Sequence, residues 1–208
     1  PSKHFYILHA HIPDKRPYTF YHIGNVYDPR KNFNKILECF IRLNKPDARL
    51  IVKATSKHPF KVNIPNVTII NDLLPDEYME DIHNKSDCYI SFSSSEGVGM
   101  GAVEAAVRNK PVIITDYGGA AEYIETPYMI NCELQKLPKD DFLYKAGMEW
   151  GKPNVDQLIK FMEDAYNKKL RYMDHPKTRM LTCKENVLQE FVVNVIGNKN
   201  NHTGQYSP

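Results

Sequence analysis

Residues 93–124 read SSSEGVGMGAVEAAVRNKPVIITDYGGAAEYI, and the fold of the chain follows from how this stretch is parsed. It reads as the end of a strand, a glycine-rich loop, a helix, a short strand, a second loop and the start of another helix. Glu96 falls in the loop and Glu104 one turn into the helix. Seven residues separate them, Gly97, Gly99 and Gly101 among these. Glycine lets backbone turn left-handed and approach a ligand closely. A helix that starts there turns free N–H groups and its positive dipole end toward whatever sits in front of it. An ordinary core requires none of this, so the stretch marks a functional site.

On either side, apolar runs of strand length alternate with segments of helical period. Tyr18–Ile23 is a β-rich run ending at Gly24, and Gly24–Lys31 is the loop that follows. From Asn32, the positions Phe33, Ile36, Leu37, Phe40 and Ile41 have helical spacing, and Asn44–Asp47 stops that helix. Arg49–Ala54 and Val67–Ile70 read as strands around a loop at Thr55–Pro65. Pro75 opens a helix to about Lys85 with Tyr78, Met79 and Ile82 inward, and Cys88–Phe92 is the strand that feeds the glycine-rich loop. Further on, Met129–Leu134 is expected to be the last strand and Leu137–Lys152 irregular. Helices are expected at Asn154–Lys168 and Lys177–Val195. A short strand is expected at His4–His9, with residues 1–17 as a linker or N-terminal extension and 198–208 as a disordered tail.

Short apolar strands alternating with helices predict an α/β fold: a single domain with a parallel sheet and helices on both faces. Ligands of such sheets bind beyond the carboxyl ends of the strands. Gly24–Lys31, Asn71–Leu74, Ser93–Met100 and Asp116–Ala120 therefore share one rim.

The chain has 208 residues, 42% of them apolar and 25% charged, which fits a soluble globular domain with a sizeable core. A net charge of +2 argues against nucleic-acid binding by bulk electrostatics. No apolar run is long enough to span a membrane. Cys39, Cys88, Cys132 and Cys183 are widely spaced and form no C-x-x-C pair, which predicts reduced thiols and a cytoplasmic setting. No D-x-D pair offers a metal site.

The rim's residue types specify a ligand. The loop at Gly97–Gly101 and Lys31 suit a phosphate or diphosphate. A carboxylate would repel phosphate but accepts well from vicinal hydroxyls. Glu104 suits a ribose and Glu96 a sugar, so the predicted ligand is a nucleotide sugar. His22 reads as a core or rim histidine.

These residues carry a resemblance. The run from Glu96-Gly97-Val98-Gly99-Met100 to Glu104-Ala105, then Lys110-Pro111-Val112-Ile113, Tyr117-Gly118-Gly119 and Glu122-Tyr123, resembles the E-x7-E region of retaining GT-B glycosyltransferases of family 4. Gly24 followed by Asp28-Pro29-Arg30-Lys31-Asn32 resembles that family's first strand-turn, and Trp150-Gly151-Lys152-Pro153-Asn154 the turn before its penultimate helices. The likeness covers residues 18–197.

The resemblance implies a Rossmann-like domain, the C-terminal, donor-binding half of a GT-B fold. It further implies transfer of a sugar from a nucleotide diphosphate sugar, most readily a UDP- or GDP-sugar, to an acceptor hydroxyl with retention and no required cofactor or metal. Glu96, Lys31 and Arg30 would serve catalysis. Glu104, Gly24, Asn25, Gly97, Val98, Gly99 and Met100 would hold the donor, with its base against Asn71 and Leu73. Asn25 departs from the family, which often carries arginine there. The acceptor half is expected from an N-terminal domain or a partner chain, because too little sequence precedes Tyr18 to form it. The rival reading is a non-catalytic nucleotide-sugar-binding or assembly module that needs such a partner.

Overall fold

The computed structural model describes residues 16–141 and 144–191. Six strands form one parallel sheet: β1 (Tyr18–Gly24), β2 (Ala48–Ala54), β3 (Val67–Ile70), β4 (Cys88–Ser91), β5 (Val112–Thr115) and β6 (Met129–Ile130). Their order across the sheet is β3-β2-β1-β4-β5-β6. The chain winds outward from β1 to one edge, returns to β4 beside β1, and winds to the other edge. The order therefore reverses between β1 and β4, and a crevice opens at such a switch point beyond the strand ends.

Each strand turns alternate side chains to opposite faces, and both faces are covered. Tyr18, Phe20, Cys88, Ile90 and Ile113 pack with α1 (Phe33–Leu43) and α5 (Val155–Asn167). Tyr21, Tyr89, Val112 and Ile114 pack with α2 (Asp76–Lys85), α3 (Met100–Val107) and α4 (Ala120–Tyr123). Two antiparallel strands, β7 (Cys132–Lys136) and β8 (Glu149–Pro153), form a separate ribbon, and α6 (Pro176–Thr182) and α7 (Lys184–Phe191) close the described chain. Among the described residues no helix is long and apolar enough to cross a membrane.

The fold class matches the sequence reading, with local corrections. The run Met129–Leu134 is two strands, because the chain leaves the main sheet after Ile130. Glu149–Lys152, within the segment expected to be irregular, belongs to β8, which pairs with Cys132–Lys136. The single C-terminal helix is broken at Cys183, whose backbone is extended. Tyr78 and Ile41 point outward, at 54% and 50% exposure, while Cys39 and His83 are buried in their helices. The expected strand at His4–His9 and the tail 198–208 lie outside the described residues, as do residues 1–15 of the expected linker.

Candidate functional site

The glycine-rich loop is held from behind by the second glycine pair. Gly119 N–H donates to Glu96 O at 2.9 Å. Gly118 has φ +83°, and a Cβ there would meet Glu96 O at 2.7 Å. A side chain at Gly118 would force apart the two loops that β4 and β5 deliver to the rim. Gly99 caps α3 in the left-handed region at φ +70°. Ala102 and Val103 N–H both donate to Gly99 O. The N–H groups of Met100 and Gly101 precede these first helical bonds and are left for a ligand.

A cleft of about 390 Å³ opens in front of that helix start, at the switch between β1 and β4. Gly24, Asn25, Lys31, Glu96, Val98, Gly99 and Met100 line it. A single turn of 3₁₀ helix at Pro29–Lys31, capped by Asp28, carries Lys31 to the cleft. There its ammonium pairs with Glu96 Oε2, and both side chains are 19% exposed. Ser93 Oγ reaches the same oxygen at 3.3 Å. Both contacts use Oε2, so Oε1 remains able to accept from a ligand hydroxyl.

Other expected site residues stand apart from the cleft lining. Arg30 turns away: its guanidinium grips Asp28 with Nε 3.0 Å from Oδ1 and Nη2 2.5 Å from Oδ2, and lies 5.8 Å from the Tyr144 ring centre. The bond to Asp28 pushes the Arg30 pKa up. Asn71 uses its side chain to tie down Phe60, accepting from its N–H at 2.8 Å and donating to its carbonyl at 3.0 Å. Leu73 is 97% exposed. Glu104 sits one turn beyond Met100 on the same helix face, and 40% of its side chain is exposed. Its Oε2 lies 3.3 Å from His83 Nε2.

The cleft also holds residues whose part the sequence does not declare. His22 lines it and is buried. Its Nδ1 lies 2.9 Å from Ile90 O, and a carbonyl only accepts, so Nδ1 carries the proton. Nε2 is then a bare acceptor, and it is a buried atom with no partner among the described residues. A Cβ on Gly24 would come within 2.8 Å of it. Burial lowers the His22 pKa to about 4, so the ring is neutral near pH 7. Its Y-T-F-Y-H-I context looks like any buried strand. The Tyr89 hydroxyl donates to Ile23 O at 3.2 Å and fills the space beneath Gly101. The β7–β8 ribbon braces the loop from outside, with Gly151 N–H on Ser94 O at 2.8 Å and the Tyr144 hydroxyl on Ser95 Oγ. Among the described residues no three His, Cys, Asp or Glu side chains gather as a metal site.

Comparison with known proteins agrees with this geometry. The profile of the family "Glycosyl transferases group 1" matches residues 9–128. The fold is similar to the C-terminal domain of a glycosyl transferase group 1 protein (LpcC) from Francisella tularensis. That match has TM-score 0.54 and 18% identity, and covers 83% of this chain and 89% of that one. It is also similar to HepE from Anabaena, solved in complex with UDP and glucose, at TM-score 0.51 and 14% identity, covering 90% of this chain and 49% of that one. Sucrose-phosphate synthase from Thermosynechococcus elongatus matches at TM-score 0.55 and 16% identity, covering 91% of this chain and 45% of that one. The chain thus spans most of an isolated C-terminal domain but about half of the longer proteins. No curated protein sequence matches it significantly. With a profile match over more than half of its length and the sheet order and rim just described, the chain belongs to the glycosyl transferases group 1 family and forms one GT-B-type Rossmann-like domain.

Proposed function

We propose that this chain is the donor-binding half of a retaining, family 4-like glycosyltransferase that moves a sugar from a nucleotide diphosphate sugar to an acceptor hydroxyl. The observation that carries this reading is the meeting of Lys31, Glu96 and the start of α3 in one cleft. The diphosphate would take the N–H groups at Met100 and Gly101 and draw Lys31 off Glu96. Glu96, released, would accept from hydroxyls of the donor sugar. Glu104 would hold the ribose, and the base would extend toward Asn71 and Leu73 over β2 and β3. Charge stabilisation of the leaving diphosphate is the chemistry these groups can supply. A UDP- or GDP-sugar is the donor proposed, with no cofactor. The domain is taken as residues 18–197, after a linker at 1–17. The acceptor site would come from an N-terminal domain or a partner chain. Four cysteines without a disulfide fit a reducing, cytoplasmic setting.

One observation favours a second reading, a nucleotide-sugar-binding module without turnover of its own. Asn25 stands where a second cation would help, and Arg30 is committed to Asp28. Lys31 is the cation of the cleft lining. The two readings share a test. Titration with UDP-, GDP- and ADP-sugars should show saturable binding that falls about tenfold or more in Glu104→Ala, the scale of a charge-assisted hydrogen bond. Absence of binding by all three would sink both readings. Sugar transfer at ordinary enzymatic rates by this chain alone would contradict the half-enzyme claim.

A further inference from the structure

Glu104 is the last member of a buried polar chain. Its Oε2 lies 3.3 Å from His83 Nε2, and His83 Nδ1 lies 2.9 Å from the Tyr21 hydroxyl. A carboxylate only accepts, so Nε2 carries the ring proton. Nδ1 is then a lone pair, and the Tyr21 hydroxyl donates to it. The donors run in one direction, from β1 through α2 to α3: Tyr21 O–H to His83, then His83 N–H to Glu104.

The chain is hidden at its start and open at its end. Tyr21 is 0% and His83 1% exposed, against 40% for the Glu104 side chain. The Tyr21 and His83 rings meet edge to face at 5.4 Å and 86°. Arg108 fixes α2 to α3, with Nε 3.0 Å from Glu80 Oε2 and Nη1 2.9 Å from the Glu104 carbonyl. Burial raises the Tyr21 pKa and keeps its hydroxyl a donor. Burial and Arg108 lower that of His83, against the opposing pull of Glu104 and Glu80, and keep the ring neutral. An exposed helix glutamate normally samples many rotamers, and a ligand that fixes it must overcome that entropy. Here one carboxylate oxygen is already fixed.

We infer that His83, backed by Tyr21, is a positioning residue that sets Glu104 for the vicinal hydroxyls of a ribose and so selects ribonucleotides over deoxyribonucleotides. The inference rests on the reading of Glu104 as the ribose binder. Each carboxylate oxygen has two lone pairs, so Oε2 can accept from His83 and from a ribose hydroxyl together, while Oε1 takes the second hydroxyl. Pre-organisation of this kind improves affinity without a new contact to the ligand.

The test is calorimetric titration of wild type, His83→Phe and His83→Gln with UDP and GDP, each beside its 2′-deoxy and 3′-deoxy counterpart. Wild type should prefer the ribonucleotide by about tenfold, the worth of one hydrogen bond to a charged group. His83→Phe should still bind through base and diphosphate, with the preference reduced to about twofold. His83→Gln, which retains an N–H near the Nε2 position, should restore part of it. Equal weakening of ribo- and deoxyribonucleotide by His83→Phe would make His83 mere packing and overturn the inference. Tyr21→Phe keeps the ring contact and serves if His83→Phe does not fold; an unchanged preference there also counts against the chain. A wild type without preference would remove both the ribose role of Glu104 and this inference while leaving the diphosphate site standing. Failure of UDP and GDP to bind at all would refute the donor reading and this inference with it.

Discussion

The two ends of the sheet both carry charge, and they use it differently. At the amino end, before β4, Asp87 is 0% exposed and fully engaged. It accepts from Thr19 N–H at 2.8 Å, from Arg16 at 2.5 and 3.1 Å, and from Arg171 Nη1 at 2.6 Å. At the carboxyl end, Lys31 and Glu96 are each 19% exposed and meet at one carboxylate oxygen in an open cleft. The first arrangement satisfies a buried charge and joins β1, β4 and the segment before α6. The second is a pair that a ligand can part, because each member can exchange the other for a phosphate or a hydroxyl. A closed network holds the sheet together, and an open pair is available for binding.

The largest way to break this contrast is Asp87→Ala, which removes the buried acceptor shared by Thr19 N–H, Arg16 and Arg171. Loss of one partner from a buried ion pair costs about 3–5 kcal/mol. Denaturant unfolding should show that loss, with nucleotide affinity of the remaining folded fraction unchanged. A small loss would mean that the amino end is no more structural than the rim.

His22 gives the next effect. Its folded pKa of about 4 lies below the ordinary 6.5, so the unfolded chain binds its proton first as pH falls. The contribution is fully present above about pH 6.5 and is lost as pH drops toward 4, on the order of 3 kcal/mol across that window. His22→Asn keeps a donor for Ile90 O and should flatten this part of the pH–stability curve. Equal acid sensitivity in variant and wild type would show that His22 is charged in the folded protein.

Gly118→Ala should follow, because it combines φ +83° with a clash against Glu96 O. We expect a loss of about 1–3 kcal/mol from the strained backbone alone, with donor binding weakened as well. Unchanged melting and binding would mean that the two loops do not brace each other. Lys31→Ala is the smallest for stability, at about 0–1 kcal/mol for a partly exposed pair. It should nonetheless weaken nucleoside diphosphate binding about tenfold. Glu96→Gln, which also frees Lys31, should separate the diphosphate from the sugar contribution by weakening binding of the nucleotide sugar more than that of the diphosphate.

The fold was legible where burial imposes a period. Strands such as Cys88–Phe92 and Val112–Thr115 are apolar on both faces, and a parallel sheet covered on both sides requires that. The β7–β8 ribbon left no such mark, since Cys132–Lys136 is half-buried only at its first residue and exposed beyond it. The break between α6 and α7 falls at Cys183, where neither Gly nor Pro punctuates the chain. The cleft placement of Lys31, Glu96, Gly99 and Gly101 was legible because each lies in the loop or helix start that follows β1 or β4. His22 read as a core or rim histidine and is buried in the cleft lining, but neither its bare Nε2 nor the part of His83 was legible. One is defined by the absence of a partner on Nε2. The other depends on Tyr21 and Glu104, brought in from residues 62 and 21 positions away. Apolar pattern assigned Tyr78 to the core in place of His83, because sequence period gives weight to hydrophobicity and not to distant hydrogen bonds.

On the proposed reading, a ligand takes the place of one partner in the open pair at the rim. A crystal structure of the chain with UDP or GDP would show whether that exchange happens. The expected result is a diphosphate at the start of α3, Lys31 Nζ moved from Glu96 to a phosphate oxygen, and Glu104 within hydrogen-bond distance of the ribose. A nucleotide bound elsewhere, or one in the cleft with Lys31 still on Glu96 and Glu104 touching only His83, would contradict it.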